Sequence, residues 1–121
     1  MTGKVWAADH YEKPDIIAFG KKSQVCGIMS NDRIDEIETN VFRKSSRINS
    51  TWGGNLTDMV RSKRFLEVIS EDSLVQNAEI MGKYLLEELK QLEQEFPELI
   101  SQARGLGLIC SFDLPDTASR D

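Results

Sequence analysis

Two adjacent lysines, Lys21 and Lys22, stand between the apolar runs Ile16-Ile17-Ala18-Phe19 and Val25-Cys26-Gly27-Ile28-Met29. An ammonium group at the edge of an apolar core loses hydration and needs a reason to be there. Two readings follow from the residues alone. In the first, the pair ends a strand and stays solvated. In the second, apolar walls lower the pKa of one amine, and the neutral amine attacks a carbonyl carbon. Capture of an aldehyde as a Schiff base is the chemistry that such a site most rewards.

The other chemical signals are weaker. A phosphate-binding P-loop requires Gly-x-x-x-x-Gly-Lys-Ser/Thr, so that backbone amides wrap a phosphate. Here the residue five before Gly20 is Asp15, and Lys22 follows Lys21, so the motif fails twice. Gly105-Leu106-Gly107-Leu108-Ile109-Cys110 begins like a dinucleotide fingerprint but lacks the third glycine and the helix after it. Its glycines suit a chain that turns tightly on entering a strand. The lone His10 has no Ser, Cys or Asp arrangement around it that resembles a triad, and it reads as a structural histidine. Arg43, Lys44 and Arg47 read as a solvated basic loop rather than an anion site.

These residues must be held by regular elements. Pro14-Asp15 is a turn signal, and the two apolar runs after it lack polar alternation, as do strands covered on both faces in a parallel sheet. The lysines therefore fall on a short connection between two strands expected to be buried. From Arg33 to Thr51 the pattern is polar and weak. Asn55 is an expected N-cap, with Asp58 in the first turn of a helix carrying Leu56, Met59, Val60, Leu66 and Ile69. A longer helix follows, on which Leu74, Ala78, Met81, Leu85, Leu89, Leu92 and Phe96 form one apolar stripe. Residues between Ser70 and Ser73 are capping candidates, and Pro97 ends the pattern. The stripe reads as a core-facing surface; a docking face is the alternative. Leu106 to Leu114 reads as a single strand. The order of elements gives an α/β or α+β class.

Composition sets outer bounds. The chain has 121 residues, 40% of them hydrophobic and 29% charged, which suits one modest globular unit. A formal net charge of −5 disfavours a nucleic-acid footprint across the surface. Cys26 and Cys110 fit no metal spacing and read as reduced, small apolar core residues of a cytosolic protein. The polar N-terminus does not read as a secretory signal, and no apolar run approaches the ~20 residues of a membrane helix. No membrane association and a cytoplasmic location are expected.

With the stretches PDIIAFGKKSQVCG, RINSTWGGNLTDMVRSKRFLEVI and RGLGLICSFDLP, the sequence resembles the class-III pyridoxal-phosphate-dependent aminotransferases over nearly its whole length. The lysine connection and the Ser-Thr-aromatic-Gly-Gly turn together carry the likeness. The resemblance implies the type I fold of pyridoxal 5′-phosphate enzymes. Residues 1–69 would end the large cofactor domain, with its mixed or parallel sheet, and residues 70–121 would begin the small α+β domain. Counting back from Gly27 places the family's Schiff-base lysine on Lys22, with Lys21 as a structural neighbour. The family's phosphate-binding threonine falls on Thr51, which would reach the cofactor of the neighbouring subunit in a homodimer, with Ser50 assisting.

Within the class, the likeness is greatest to the branch that moves the ε-amino group of L-lysine to 2-oxoglutarate. The products implied are glutamate and 2-aminoadipate 6-semialdehyde. Branches acting on 4-aminobutyrate or ornithine are the alternatives, and a non-catalytic interaction module is another. Family members are several times longer. The aspartate facing the pyridine nitrogen, the stacking aromatic residue and the carboxylate-binding arginines are expected outside these 121 residues. The isolated chain is therefore expected to be a fragment without activity.

Overall fold

A computed structural model describes residues 1–116. The chain divides into two compact units, one formed by Glu12–Ile69 and the other by Met1–Tyr11 together with the described residues from Ser70 onward.

In the Glu12–Ile69 unit, β1 (Ile16–Phe19) and β2 (Gly27–Ser30) form an antiparallel hairpin with Ile16 opposite Ser30 and Phe19 opposite Gly27. This differs from the expected parallel arrangement of strands buried on both faces. The physical reason lies in the connection: residues 20–26 are too few for a parallel crossover, which takes a dozen or more, but sufficient for a hairpin. Nor are both faces covered by this chain, since Ile16 is 54% and Met29 39% exposed. Cys26 is also exposed rather than a core residue, because it lies just outside the last strand pair, beside Gly20. Cys110 is partly buried, and both thiols are free.

The base of the hairpin is closed by Asp15. Its carbonyl accepts from the Asn31 amide at 3.0 Å. Its carboxylate accepts from Asn31 Nδ2 at 2.8 Å and from Arg33 Nη1 at 2.7 Å. The Asn31 side-chain amide, followed by the Arg33 guanidinium, holds the Asp15 carboxyl below its ordinary range. A carboxyl pKa depressed by folding adds stability above the unfolded value, and that stability is lost as pH falls through the folded value. Protection of the Asn31 amide from hydrogen exchange is therefore expected to drop as pH falls below about 4, and to lose that pH dependence in Asp15→Asn. Protection that ignores pH in the parent chain contradicts the assignment.

Between β2 and the next helix the backbone follows turns organised by Asn40, one of the few buried polar residues. Its Nδ2 donates to the carbonyls of Ile34 and Ile37, both at 2.9 Å. Its Oδ1 accepts the amides of Phe42 at 3.0 Å and Arg43 at 3.2 Å. All the capacity of the amide is used, so the segment has a defined course with little apolar burial. Arg43 pairs with Asp35 at 2.9 Å on the surface.

Helix α1 (Leu56–Glu71) starts where expected. Asn55 Oδ1 accepts the Thr57 amide at 3.0 Å, and the Asn55 carbonyl accepts from Met59 at 3.1 Å, which is N-cap geometry. Leu56, Met59, Val60 and Leu66 are exposed, and the buried position on this helix is Ser62.

In the other unit, α2 (Leu74–Glu95) packs on a second antiparallel hairpin of β3 (Ser101–Leu106) and β4 (Ile109–Asp113). The single strand expected at 106–114 is instead the turn and second arm of this hairpin. Gly107 has φ +55 and leads a two-residue connection, the place a II′ turn gives to glycine. A bulge between Ser101 and Arg104 carries Gln102 at φ +56. The two carboxylate oxygens of Glu93 accept the freed amides of Gln102, at 2.6 Å, and Ala103, at 3.2 Å. Arg104 then pairs with Asp113 across the hairpin at 2.8 Å. Ser73, a capping candidate, adopts φ 52 and ψ 36 and makes no side-chain cap bond.

The face by which α2 packs differs from the expected stripe. Ala78 and Gly82 are its buried residues, with Val75, Leu86 and Leu89 half-buried, whereas Leu74, Met81, Leu85, Leu92 and Phe96 remain exposed. Small residues decide this, because they let the hairpin backbone approach the helix. A Cβ at Gly82 would collide with the Gly107 main chain, and one at Gly3 would lie 2.9 Å from Glu79 Cβ. The N-terminal segment completes the node. Met1 O accepts the Leu108 amide at 2.8 Å, and His10 Nε2 donates to Thr2 O at 2.8 Å, a structural role for the lone histidine. Among the described residues Ala78, 4% exposed, is the one buried apolar side chain. No helix there is long and apolar enough to cross a membrane.

Candidate functional site

The lysines occupy a single 3-10 turn, Lys21–Ser23, at the tip of the β1–β2 hairpin. The turn is closed by Ser23 N to Gly20 O at 3.4 Å and Gln24 N to Lys21 O at 3.1 Å. Both ends are left-handed, with φ 59 at Lys21 and φ 66 at Gln24, a conformation that side-chain-bearing residues adopt at a cost. Beyond the turn, Ser23 Oγ donates to Val25 O at 2.8 Å. A tight, partly strained turn thus fixes the backbone from which Lys22 projects.

Lys22 is exposed. The apolar enclosure expected around its amine is not built by residues of this chain. Among the described residues neither Lys21 nor Lys22 is engaged in an ion pair or side-chain hydrogen bond, in contrast to Lys63 and Lys83, which pair with Glu67 and Glu79. Neither amine is therefore tied to a carboxylate among the described residues.

Ser50 and Thr51 lie in the same unit, on the turns that lead into α1. Ser50 O accepts from Gly53 N at 3.0 Å, and Trp52 O accepts from Asn55 N at 3.2 Å. Gly54, at φ +77, makes the positive-φ step that these overlapping turns need. The whole stretch from Ser50 to Gly54 is exposed, Trp52 to 76%. Two hydroxyls on a glycine-bearing turn, with four residues between them and the α1 start at Leu56, can donate to an anion. No hydrogen bond joins Lys22 to Ser50 or Thr51 among the described residues.

This donor set fits pyridoxal 5′-phosphate at its two ends. An amine without an ion-pair partner suits the aldehyde carbon, and hydroxyls on a glycine-bearing turn suit the phosphate. The contribution of Ser23 and Gln24 to the lysine turn was not drawn from the sequence. A serine two residues before a carbonyl it can reach was the available signal.

The family pattern described as aminotransferase class-III matches residues 1–121. The L-lysine-epsilon aminotransferase of Mycobacterium tuberculosis (strain H37Rv) is 53% identical over 122 residues, covering 100% of this chain and 27% of that protein. The mitochondrial 4-aminobutyrate aminotransferase of Mus musculus is 34% identical over 125 residues, covering 99% of this chain and 23% of that protein. Among solved structures, the lysine aminotransferase from M. tuberculosis in the internal aldimine form superposes with a TM-score of 0.89. That match has 53% identity and covers 97% of this chain and 27% of that one. The chain thus spans about a quarter of the length of these lysine enzymes.

Proposed function

Because this chain belongs to the class-III aminotransferases, we propose that it carries the cofactor-linked lysine and one phosphate contact of an enzyme that transfers the ε-amino group of L-lysine to 2-oxoglutarate. The observation that carries the choice of amino donor is the margin of identity, 53% to a lysine enzyme against 34% to a 4-aminobutyrate enzyme over the same residues. Mixed α/β structure and the structural match to a lysine aminotransferase support the type I fold. In this reading residues 1–69 end the large domain and residues 70–121 begin the small one.

Pyridoxal 5′-phosphate, when bound, supplies an aldehyde for linkage and a ring that stabilises negative charge on the reacting carbon. The rest is work for side chains. Lys22 Nζ, at the tip of the hairpin, would hold the cofactor at its aldehyde carbon. Once freed, the same Nζ would serve as the base that moves a proton at the substrate carbon bearing the ε-amino group. Thr51 Oγ1, assisted by Ser50 Oγ, donates to the phosphate of the neighbouring subunit's cofactor in a homodimer. Transfer to 2-oxoglutarate then yields glutamate and 2-aminoadipate 6-semialdehyde. Residues outside this chain dry the lysine and complete the site, so the 121 residues alone are inactive. The exposure of Lys22 and the scarcity of buried apolar side chains support that reading.

The test is a donor comparison in the full-length polypeptide, following glutamate formation from 2-oxoglutarate. L-Lysine is expected to exceed 4-aminobutyrate and L-ornithine in kcat/KM by about tenfold or more. A preference for either competitor overturns the assignment of donor.

A further inference from the structure

The turns from Ser50 to Gly54 carry a large side chain that the described residues do not use. Trp52 is 76% exposed, and its indole N–H has no hydrogen-bond partner among the described residues. Its main chain is fixed all the same. Ser50 O accepts from Gly53 N at 3.0 Å, and the Trp52 carbonyl accepts from Asn55 N at 3.2 Å just before α1. A Cβ at Gly54 would meet nothing within 4 Å, so this end of the turn is open. Ile48 and Leu56, four residues before and after Trp52, are exposed as well. An indole offers about 150–250 Å² for burial, and its N–H finds an acceptor when it is covered. An ordered turn that holds such a group outward has the form of an interface anchor.

We propose that Trp52 anchors a second copy of this chain, so that subunit pairing and retention of the cofactor are coupled. The inference rests on the reading in which Thr51 donates to the phosphate of the neighbouring subunit's cofactor, and it names the side chain that holds that subunit in place. The reach of threonine makes the argument quantitative. A hydroxyl donating at about 2.7 Å puts the Thr51 Cα within roughly 6 Å of that phosphate. The next Cα lies about 3.8 Å further along the chain. Trp52 therefore starts within about 10 Å of a group held by the other subunit, and an indole spans most of that gap. In a two-fold dimer each copy lends the same turn to the other, so two indoles and two phosphate contacts form together. Separation of the copies then removes Thr51 from the cofactor, and by linkage the cofactor favours the pair.

The experiment uses the full-length enzyme, with pyridoxal 5′-phosphate and stripped of it, as parent, Trp52→Ala, Trp52→Leu and Thr51→Ala. Dimer dissociation is followed by sedimentation velocity over a dilution series, and bound cofactor by its absorbance after gel filtration of the same samples. Trp52→Ala is expected to raise the dimer dissociation constant by about 30-fold or more, and Trp52→Leu by about tenfold. In both, bound cofactor is expected to fall at the dilutions where the dimer separates and to recover on concentration. Stripped Thr51→Ala is expected to pair within about threefold of the stripped parent, because it removes only the phosphate contact. Trp52→Leu carries the measurement alone if the alanine variant does not fold. Dimer constants of the Trp52 variants within about threefold of the parent overturn the proposal and assign the indole to a surface of its own polypeptide. Cofactor loss that ignores protein concentration in these variants also overturns it. A parent that retains its cofactor as a monomer is a different result, and overturns the reading of Thr51 as a contact across subunits.

Discussion

Lys22→Ala in the full-length enzyme is expected to lower turnover of L-lysine by about 10⁴-fold or more. The magnitude follows from the two roles proposed for the residue, linking the cofactor and moving a proton at the substrate carbon. A substitution that removes both roles leaves only binding of the loosely held cofactor. The cofactor is expected to dissociate more readily, so loss of the bound-cofactor absorbance on gel filtration accompanies the loss of rate. Lys21→Asn is the control, because asparagine tolerates the positive φ found at this position. It is expected to retain turnover within about threefold. If the Lys21 variant is the inactive one, Lys21 and not Lys22 links the cofactor.

The second large effect is structural. Gly82 lies inside α2, where glycine is worse than alanine by roughly 1 kcal/mol on an exposed helix. By propensity alone, Gly82→Ala stabilises. The packing predicts the opposite sign, since the new methyl group meets the Gly107 main chain, and backbone in a tight turn cannot swing aside as a side-chain end does. Gly107 is itself hemmed in by Met1 and Thr2. Gly82→Ala is expected to cost about 2–4 kcal/mol and Gly82→Val more, read as a fall in the thermal midpoint of the full-length protein. A midpoint that rises with Gly82→Ala would show that the helix and the hairpin turn are not in contact.

Much of what positions the candidate site was legible in the residues. The strand at 16–19 and Asn55 as the cap of α1 appear as expected, whereas the run at 25–29 forms a strand only from Gly27, which continues to Ser30. The antiparallel pairing of β1 and β2 was also available, because a seven-residue connection admits no crossover, but the unbroken apolar runs pointed to a parallel sheet instead. Those runs reflect how much apolar surface the strands offer, not which neighbour covers it. For Ile16 and Met29 that neighbour is not in this chain.

Other features had no local signature. β3 reads Ser-Gln-Ala-Arg at its start, without alternation, and its bulge is held by Glu93 on the preceding helix. The packing line of α2 follows Ala78 and Gly82, while the leucine stripe that dominates the pattern is largely exposed. Periodicity finds the apolar face of a helix but does not say how closely a neighbouring backbone can approach. The enclosure of Lys22 is the clearest case. Desolvation is a property of everything around an amine, and a quarter of a relative's length supplies only part of it.

The most direct test of the account is to locate the reduced cofactor. Full-length enzyme loaded with pyridoxal 5′-phosphate is treated with borohydride, digested, and the peptide spanning residues 14–33 sequenced by mass spectrometry. The account predicts a phosphopyridoxyl group on Nζ of Lys22. The same group on Lys21, on a side chain elsewhere, or on no residue at all contradicts it.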